Sequence, residues 1–195
     1  NSTVWLNKGA TISYADNFEG DERKVNLKGE ALFHVTKNAE KPFIVNSDGA
    51  SAKVLGTTFN FKDQAADGKE VISLIEGRLE VTGLNGEGKV VLHPNQKATV
   101  SKDSKTIKTE NSYALADAVW RDDIIPFNNM RINEIAKILE QLYDYKIIVD
   151  AKLDHTKTYT GVIKRNKDIR NVLDGLSYTI SFHYNIHDKE ITLSE

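Results

Sequence analysis

Between residues 4 and 110 the chain repeats one pattern: a short apolar, β-branched segment, then a turn former, about every 8–12 residues. The segments are Thr11-Ile12-Ser13-Tyr14, Ala31 to Val35, Phe43-Ile44-Val45, Val71 to Ile75, Leu79-Glu80-Val81, Val90-Val91-Leu92 and Ala98-Thr99-Val100. Lys8-Gly9, Gly20-Asp21, Lys28-Gly29, Asp48-Gly49, Glu76-Gly77, the run Gly83 to Gly88, and Pro94-Asn95 punctuate them. Strands this short and this evenly spaced predict an all-β unit of many short strands, a β-solenoid, a sandwich or a barrel. No helical periodicity competes with that reading.

One stretch invites a different interpretation. Val54-Leu55-Gly56-Thr57-Thr58-Phe59-Asn60-Phe61 pairs a glycine with two threonines, as a phosphate-cradling loop does. A Walker loop needs a lysine beside its Thr and a helix after it. Here a second threonine takes the lysine's place, and the following residues read as a strand. Leu55, Thr57, Phe59 and Phe61 are expected on one strand face at period two, with Gly56 marking a close backbone approach or a bulge.

Residues 102–119 are polar and then alanine-rich. The stretch 111–125 reads as a linker with room for a short helix, dividing an all-β domain at 1–110 from a second domain at 126–195. The period then changes. Ile132, Ile135, Ala136, Leu139 and Leu142 form one apolar helical stripe opening near Asn129, with Asn128 or Asn129 as N-cap. A second helix, expected from about Asn166, carries Ile169, Val172, Leu173 and Leu176. Strands are expected at Lys146 to Val149 and Thr158 to Ile163, and a hairpin at Thr179 to Ile186 with Glu190 to Leu193. The order β-α-β-β-α-β-β defines a small α+β unit. Trp120 and Phe127 are read as anchors at the junction.

Catalytic constellations do not stand out. The histidines, His34, His93, His155, His183 and His187, lack ligand spacing. His183 and His187 would share one face of a helix, but on a strand they lie about 13 Å apart and cannot share a metal. Glu76 with Glu80, or Asp122 with Asp123, read as surface charge rather than an acid/base pair. Neither a nucleophile elbow nor a calcium loop is present, and Asp150 and Asp154 lack the latter's glycine and terminal glutamate. With no cysteine in the sequence, disulfides and thiolate chemistry are excluded. Charge is balanced, 26 basic against 28 acidic residues, without the basic excess of a nucleic-acid binder. Apolar runs are too short for a membrane helix. The start at Asn1-Ser2-Thr3 reads as the cut edge of a longer protein, and its match to a glycosylation acceptor as chance. No enzyme activity and no cofactor are expected.

In order along the chain, Val4-Trp5-Leu6-Asn7-Lys8-Gly9, Phe18-Glu19-Gly20-Asp21-Glu22-Arg23-Lys24-Val25, Lys28-Gly29-Glu30-Ala31-Leu32-Phe33-His34-Val35, Lys41-Pro42-Phe43-Ile44-Val45 and Val54 to Asn60 form a recognisable series. Glu76-Gly77-Arg78-Leu79-Glu80-Val81, Leu92-His93-Pro94-Asn95-Gln96 and Trp120-Arg121-Asp122-Asp123 leading to Phe127-Asn128-Asn129 continue it. Together they resemble the periplasmic region of FecR-family anti-sigma factors of the Bacteroidetes type. There are two departures: Asp123 stands where the family often has glycine, and Asn95 where glycine is usual, asparagine still tolerating a left-handed turn.

The resemblance implies a relay. A cytosolic segment outside this chain would hold an extracytoplasmic-function sigma factor. A membrane helix, also outside it, would tether the protein to the inner membrane. The periplasmic region would contact the N-terminal signalling domain of a TonB-dependent outer-membrane transducer. The last 70 or so residues would be of the small secretin/TonB short N-terminal type. Strand edges suit such recognition. The candidate contact residues are Tyr143, Tyr145, Lys146, Ile147, Ile148 and Val149, then Tyr159, Thr160, Gly161, Val162 and Ile163. The alternative is a carbohydrate- or surface-binding module, with Trp5, Tyr14, Trp120, Tyr143, Tyr145 and Tyr159 as stacking platform.

Overall fold

A computed structural model describes residues 2–83, 88–101 and 106–195. The middle of the turn expected from Gly83 to Gly88, the start of the 102–119 stretch and Asn1 lie outside them. The chain divides into two compact units, Asn1–Arg121 and Asp122–Glu195.

In the first unit, β1 (Thr3–Leu6), β4 (Glu30–His34), β7 (Thr58–Gln64), β8 (Lys69–Glu76), β11 (Gln96–Ser101) and β12 (Ile107–Asn111) form one sheet in the order β1-β4-β7-β8-β11-β12. The other runs β10-β9-β6-β5-β3-β2, from β10 (Lys89–Leu92), β9 (Leu79–Gly83), β6 (Ala50–Val54), β5 (Phe43–Asn46), β3 (Arg23–Lys28) and β2 (Thr11–Tyr14). All pairings are antiparallel except β3 with β5. Both sheets send alternate residues into one core: Val25, Leu27, Phe43, Val45, Leu79 and Val81 from one, Phe33, Phe59, Phe61, Ile72 and Leu74 from the other. Phe33 stacks on Phe59 at 4.9 Å and meets Phe43 of the opposite sheet at 6.2 Å. Of the forms the spacing allows, this is the two-sheet sandwich arrangement.

The stretch 54–61 is part turn and part strand. Thr57, Phe59 and Phe61 are buried at period two, as expected, but Leu55 is exposed because the chain bends at Leu55-Gly56 between β6 and β7. A side chain at Gly56 would place its Cβ 2.6 Å from the Lys37 Cα, so a close backbone approach is what demands glycine. Gly56→Ala is therefore expected to lower stability by about 1–3 kcal/mol, the overpacking range, read as a lower urea midpoint. An unchanged midpoint would mean that the Lys37 segment yields freely.

Part of the stretch read as linker is docked. A 3₁₀ helix, Ala114–Arg121, buries Ala114, Ala116, Ala118 and Val119. Two polar residues paired across β7 and β8, Asn60 and Ser73, are buried and explain why it stays. The Ser73 hydroxyl donates to the Asp117 carboxylate, and the Trp120 indole N–H donates to Asn60 Oδ1 at 3.2 Å. Arg121 lies 4.8 Å above the Trp5 ring.

The second unit has the expected order: β13 (Ile124–Arg131), α1 (Ile132–Tyr143), β14 (Lys146–Val149), β15 (Thr158–Lys164), α2 (Ile169–Ser177), β16 (His183–His187) and β17 (Glu190–Ser194). β13 pairs with β15, and β14-β17-β16 form a three-stranded sheet. The helical stripes, Ile132, Ile135, Ala136 and Leu139 of α1 with Ile169, Val172, Leu173 and Leu176 of α2, are buried.

Three boundaries differ from the sequence reading. Residues 124–131 are strand, so α1 starts at Ile132, capped at Arg131, whose N–H donates to Glu134 Oε2 at 2.7 Å. Asn128 and Asn129 sit instead in a bulge of β13, where Asn129 takes φ 51°. α2 starts at Ile169 because Asp168 caps it, accepting the Arg170 N–H at 3.0 Å. Thr179 to Phe182 are not strand: Ile180 donates back to the Leu176 carbonyl, and Ile180 and Phe182 turn into the core. Asn95 and Asp123 both adopt left-handed φ, 62° and 51°.

Candidate functional site

Sheet edges in the second unit differ in what their outward backbone offers. In an extended strand a residue's N–H and C=O point the same way, and the direction alternates along the chain. Arg165 donates its N–H to the Asp123 carbonyl at 2.7 Å, toward β13. Ile163 and Gly161 therefore also face β13, while Lys164, Val162 and Thr160 face the outer edge. That phase fits Pro126, which lies opposite Val162 and has no N–H to offer.

The same phase separates the two edges of this two-stranded sheet. On β13 the outward position opposite Val162 is Pro126, which lacks a donor, so this edge resists strand addition there. On β15 the outward positions keep both groups. Val162 is 65% exposed, the most exposed large aliphatic residue of this unit. Gly161 lies under the Phe127 ring, and its missing side chain lets that ring approach: an added Cβ would stand 3.4 Å from it. Ile163 points to α2, where it packs against Gly175. The Thr160 hydroxyl accepts the Asn129 N–H at 2.8 Å and so holds the bulge. Tyr159 is half-buried with the Lys157 ammonium 5.5 Å from its ring centre.

β14 is an edge strand of a different character. Lys146 and Asp150 donate to the Lys189 and Leu193 carbonyls, so Lys146 and Ile148 face β17, while Ile147 and Val149 face outward. The outward Ile147 N–H is already engaged by Glu140 Oε1 at 2.7 Å. A carboxylate from α1 thus occupies part of this edge. Ile147 is buried, whereas the Ile148 side chain is exposed. Lys146 pairs with Glu190 at 3.5 Å across the exposed surface.

Tyr143 serves the interior. Its hydroxyl donates to the Asn166 carbonyl at 2.8 Å and accepts the Asn166 N–H at 3.3 Å, tying α1 to the approach to α2. Burial pushes its pKa above the ordinary tyrosine value, partly offset by the Asn166 hydrogen bond. Tyr145 carries the Lys189 ammonium 5.0 Å above its ring. The structure thus divides the sequence candidates among an open edge (Thr160, Val162), a partly closed edge (Lys146, Ile147, Ile148, Val149), internal packing (Gly161, Ile163, Tyr143) and two cation-covered rings (Tyr145, Tyr159). Pro126 and Glu140 set the edges of β13 and β14 apart from that of β15, and neither stands out in the sequence.

Other candidates are engaged elsewhere. Trp120 belongs to the first unit and Phe127 to the core of the second. Glu80 pairs with Lys89 at 2.8 Å. His183 and His187 lie at opposite ends of β16. Among the described residues no group of three His, Asp or Glu side chains is placed to hold a metal ion.

Comparison with known proteins gives this geometry its setting. A profile described as "FecR protein" matches residues 1–80, and one described as "FecR, C-terminal" matches residues 124–193. The fold of a proposed anti-sigma factor from Parabacteroides distasonis ATCC 8503 is similar over the whole chain, in crystal structures at 1.65 Å and 2.50 Å resolution. Sequence identities are 28% and 29%, each with a TM-score of 0.60, covering 100% of this chain and 90% of the other. No curated protein sequence matches. The chain belongs to the FecR family of anti-sigma factors, a regulatory family.

Proposed function

We propose that this chain is the periplasmic sensor region of a membrane-tethered anti-sigma factor, and that its second unit receives a signal by contact with the N-terminal signalling domain of a TonB-dependent outer-membrane transducer. That contact regulates an extracytoplasmic-function sigma factor, which is held by a cytosolic segment outside these residues. Among the described residues no helix is long and apolar enough to cross a membrane, so the tether is assigned to a segment outside them as well. The second unit is read as the small secretin/TonB short N-terminal type, on its β-α-β-β-α-β-β order.

The observation that carries the contact is the outer edge of β15. It keeps its outward donors and acceptors and exposes Val162, while Pro126 and Glu140 limit the edges of β13 and β14. A partner strand laid along β15 gains main-chain hydrogen bonds, with side-chain pockets adding selectivity. Signalling requires more than tight binding. The transducer shifts the relay only by its difference in affinity for two signalling states.

Calorimetric titration of the chain with the signalling domain of the transducer encoded beside it tests this reading, with an unrelated transducer's domain as control. Selective saturable binding is expected. Heats indistinguishable between the two folded domains would overturn it and favour a glycan-binding role.

A further inference from the structure

The two sheets of the first unit end on one side at β1 and β2, joined by the short turn Asn7 to Ala10. Between these edge strands lies an open groove of about 640 Å³, within the range of small-ligand sites. Val4 and Leu6 of β1 line one wall, Ile12 and Tyr14 of β2 the other, with Phe18 and Phe43 between. Leu6 and Tyr14 are among the few large apolar side chains the unit leaves exposed.

Charge distinguishes the groove from a mere gap in packing. Its lining includes two cations, Arg23 and Lys37, and no carboxylate among the described residues. Arg23 Nε donates to the Lys41 carbonyl at 2.9 Å, and its terminal nitrogens make only long contacts, 3.4–3.5 Å, to the Thr36 carbonyl and the Ser2 hydroxyl. Its guanidinium lies 5.3 Å over the Phe43 ring. Every one of these partners is neutral. Desolvation draws the Arg23 pKa below its ordinary value. Partly burying a cation without a counter-charge is costly, and an anion delivered by a ligand removes that cost. The acidic residues of the nearby 16–22 loop line a separate concavity that shares only Phe18 with the groove, and Glu22 there is paired with Lys24 at 2.7 Å.

We propose that this groove binds a small amphipathic carboxylate, its head group on Arg23 and its apolar chain between Val4, Ile12, Tyr14 and Phe43. The site is independent of the transducer contact assigned to the second unit.

Titration of the intact chain with octanoate, decanoate, decanol and decyltrimethylammonium, each below its micelle concentration, tests it. Decanoate is expected to bind at one saturable site, octanoate about fourfold more weakly for each methylene removed. Decanol is expected to bind at least about tenfold more weakly than decanoate, since a charge-assisted hydrogen bond is lost. The quaternary ammonium is expected not to bind. Arg23→Gln should bring decanoate down to the level of decanol, while methyl resonances of Val4 and Ile12 report the location in the unmodified chain. Equal affinity for decanoate and decanol, absence of saturable binding, or shifts away from Val4 and Ile12 would overturn the proposal. The head-group series uses the unmodified chain, so it decides the matter even if Arg23→Gln does not fold.

Discussion

Phe59→Ala is expected to destabilise the first unit by about 3–5 kcal/mol, the range for removing a fully buried aromatic side chain. Phe59 is completely inaccessible and stacks on Phe33 with an interplanar angle of 10°, so truncation removes both burial and a ring contact that links β7 to β4. Neighbouring aromatics are themselves packed and cannot collapse fully into the space. The loss is large against a typical domain stability of roughly 5–15 kcal/mol. Both tryptophans, Trp5 and Trp120, belong to the first unit, so their fluorescence during urea unfolding reports this unit alone. The second unit has its own buried residues, including Leu139, Leu173, Ile191 and Leu193, and its methyl resonances should keep their unfolding midpoint. A shift in the tryptophan transition corresponding to less than about 1 kcal/mol would mean that the site relaxes around the deletion and that the core is less tightly packed than its burial indicates.

If β15 is the docking edge of the proposed contact, Val162→Pro is expected to weaken binding of the transducer's signalling domain by about tenfold or more while leaving the fold in place. The substitution removes one backbone N–H, and Val162 directs that N–H away from β13, so no bond of the β13–β15 ladder is lost. Pro126, directly opposite, already shows that a proline fits at this phase of the pair. The penalty falls on an incoming strand, which loses a donor and meets a ring at the centre of its path. Calorimetry would read the affinity, and the circular dichroism spectrum would verify the fold. Unchanged affinity in a folded variant would remove β15 as the docking edge and leave β14 and β16, the two edges of the three-stranded sheet, as the next candidates.

These two residues differ in how far their own neighbourhood in the sequence places them. Phe59 is legible locally: Thr57, Phe59 and Phe61 alternate with polar residues, and period two alone assigns them to one buried face. Leu55 obeys the same period yet lies outside. The bend there brings Gly56 against Lys37, some twenty residues away in sequence, where a side chain would not fit. β3 is harder to see, because its buried pair, Val25 and Leu27, is flanked by charged and polar residues that face outward. The linker reading of 111–125 rests on alanines, and small side chains do not announce burial. The Asn60 and Ser73 side chains that receive the 3₁₀ helix lie on strands far away in the chain.

The candidate contact surface divides the same way. Period and composition identify β14 and β15 as strands, because alternation is a local property of a few consecutive residues. Whether a strand edge is open is not local. It depends on Pro126 lying opposite Val162 through the antiparallel register, and on Glu140 reaching from α1 to the Ile147 N–H. Periodicity within a few neighbouring residues is enough to specify the strand-rich first unit, the β-α-β-β-α-β-β order of the second and the buried stripes of both helices. Which edges stay open, where the connecting segment docks and that a cation lines an apolar groove follow only from the folded chain, because hydrogen bonds and desolvation depend on residues brought together from distant parts of the sequence.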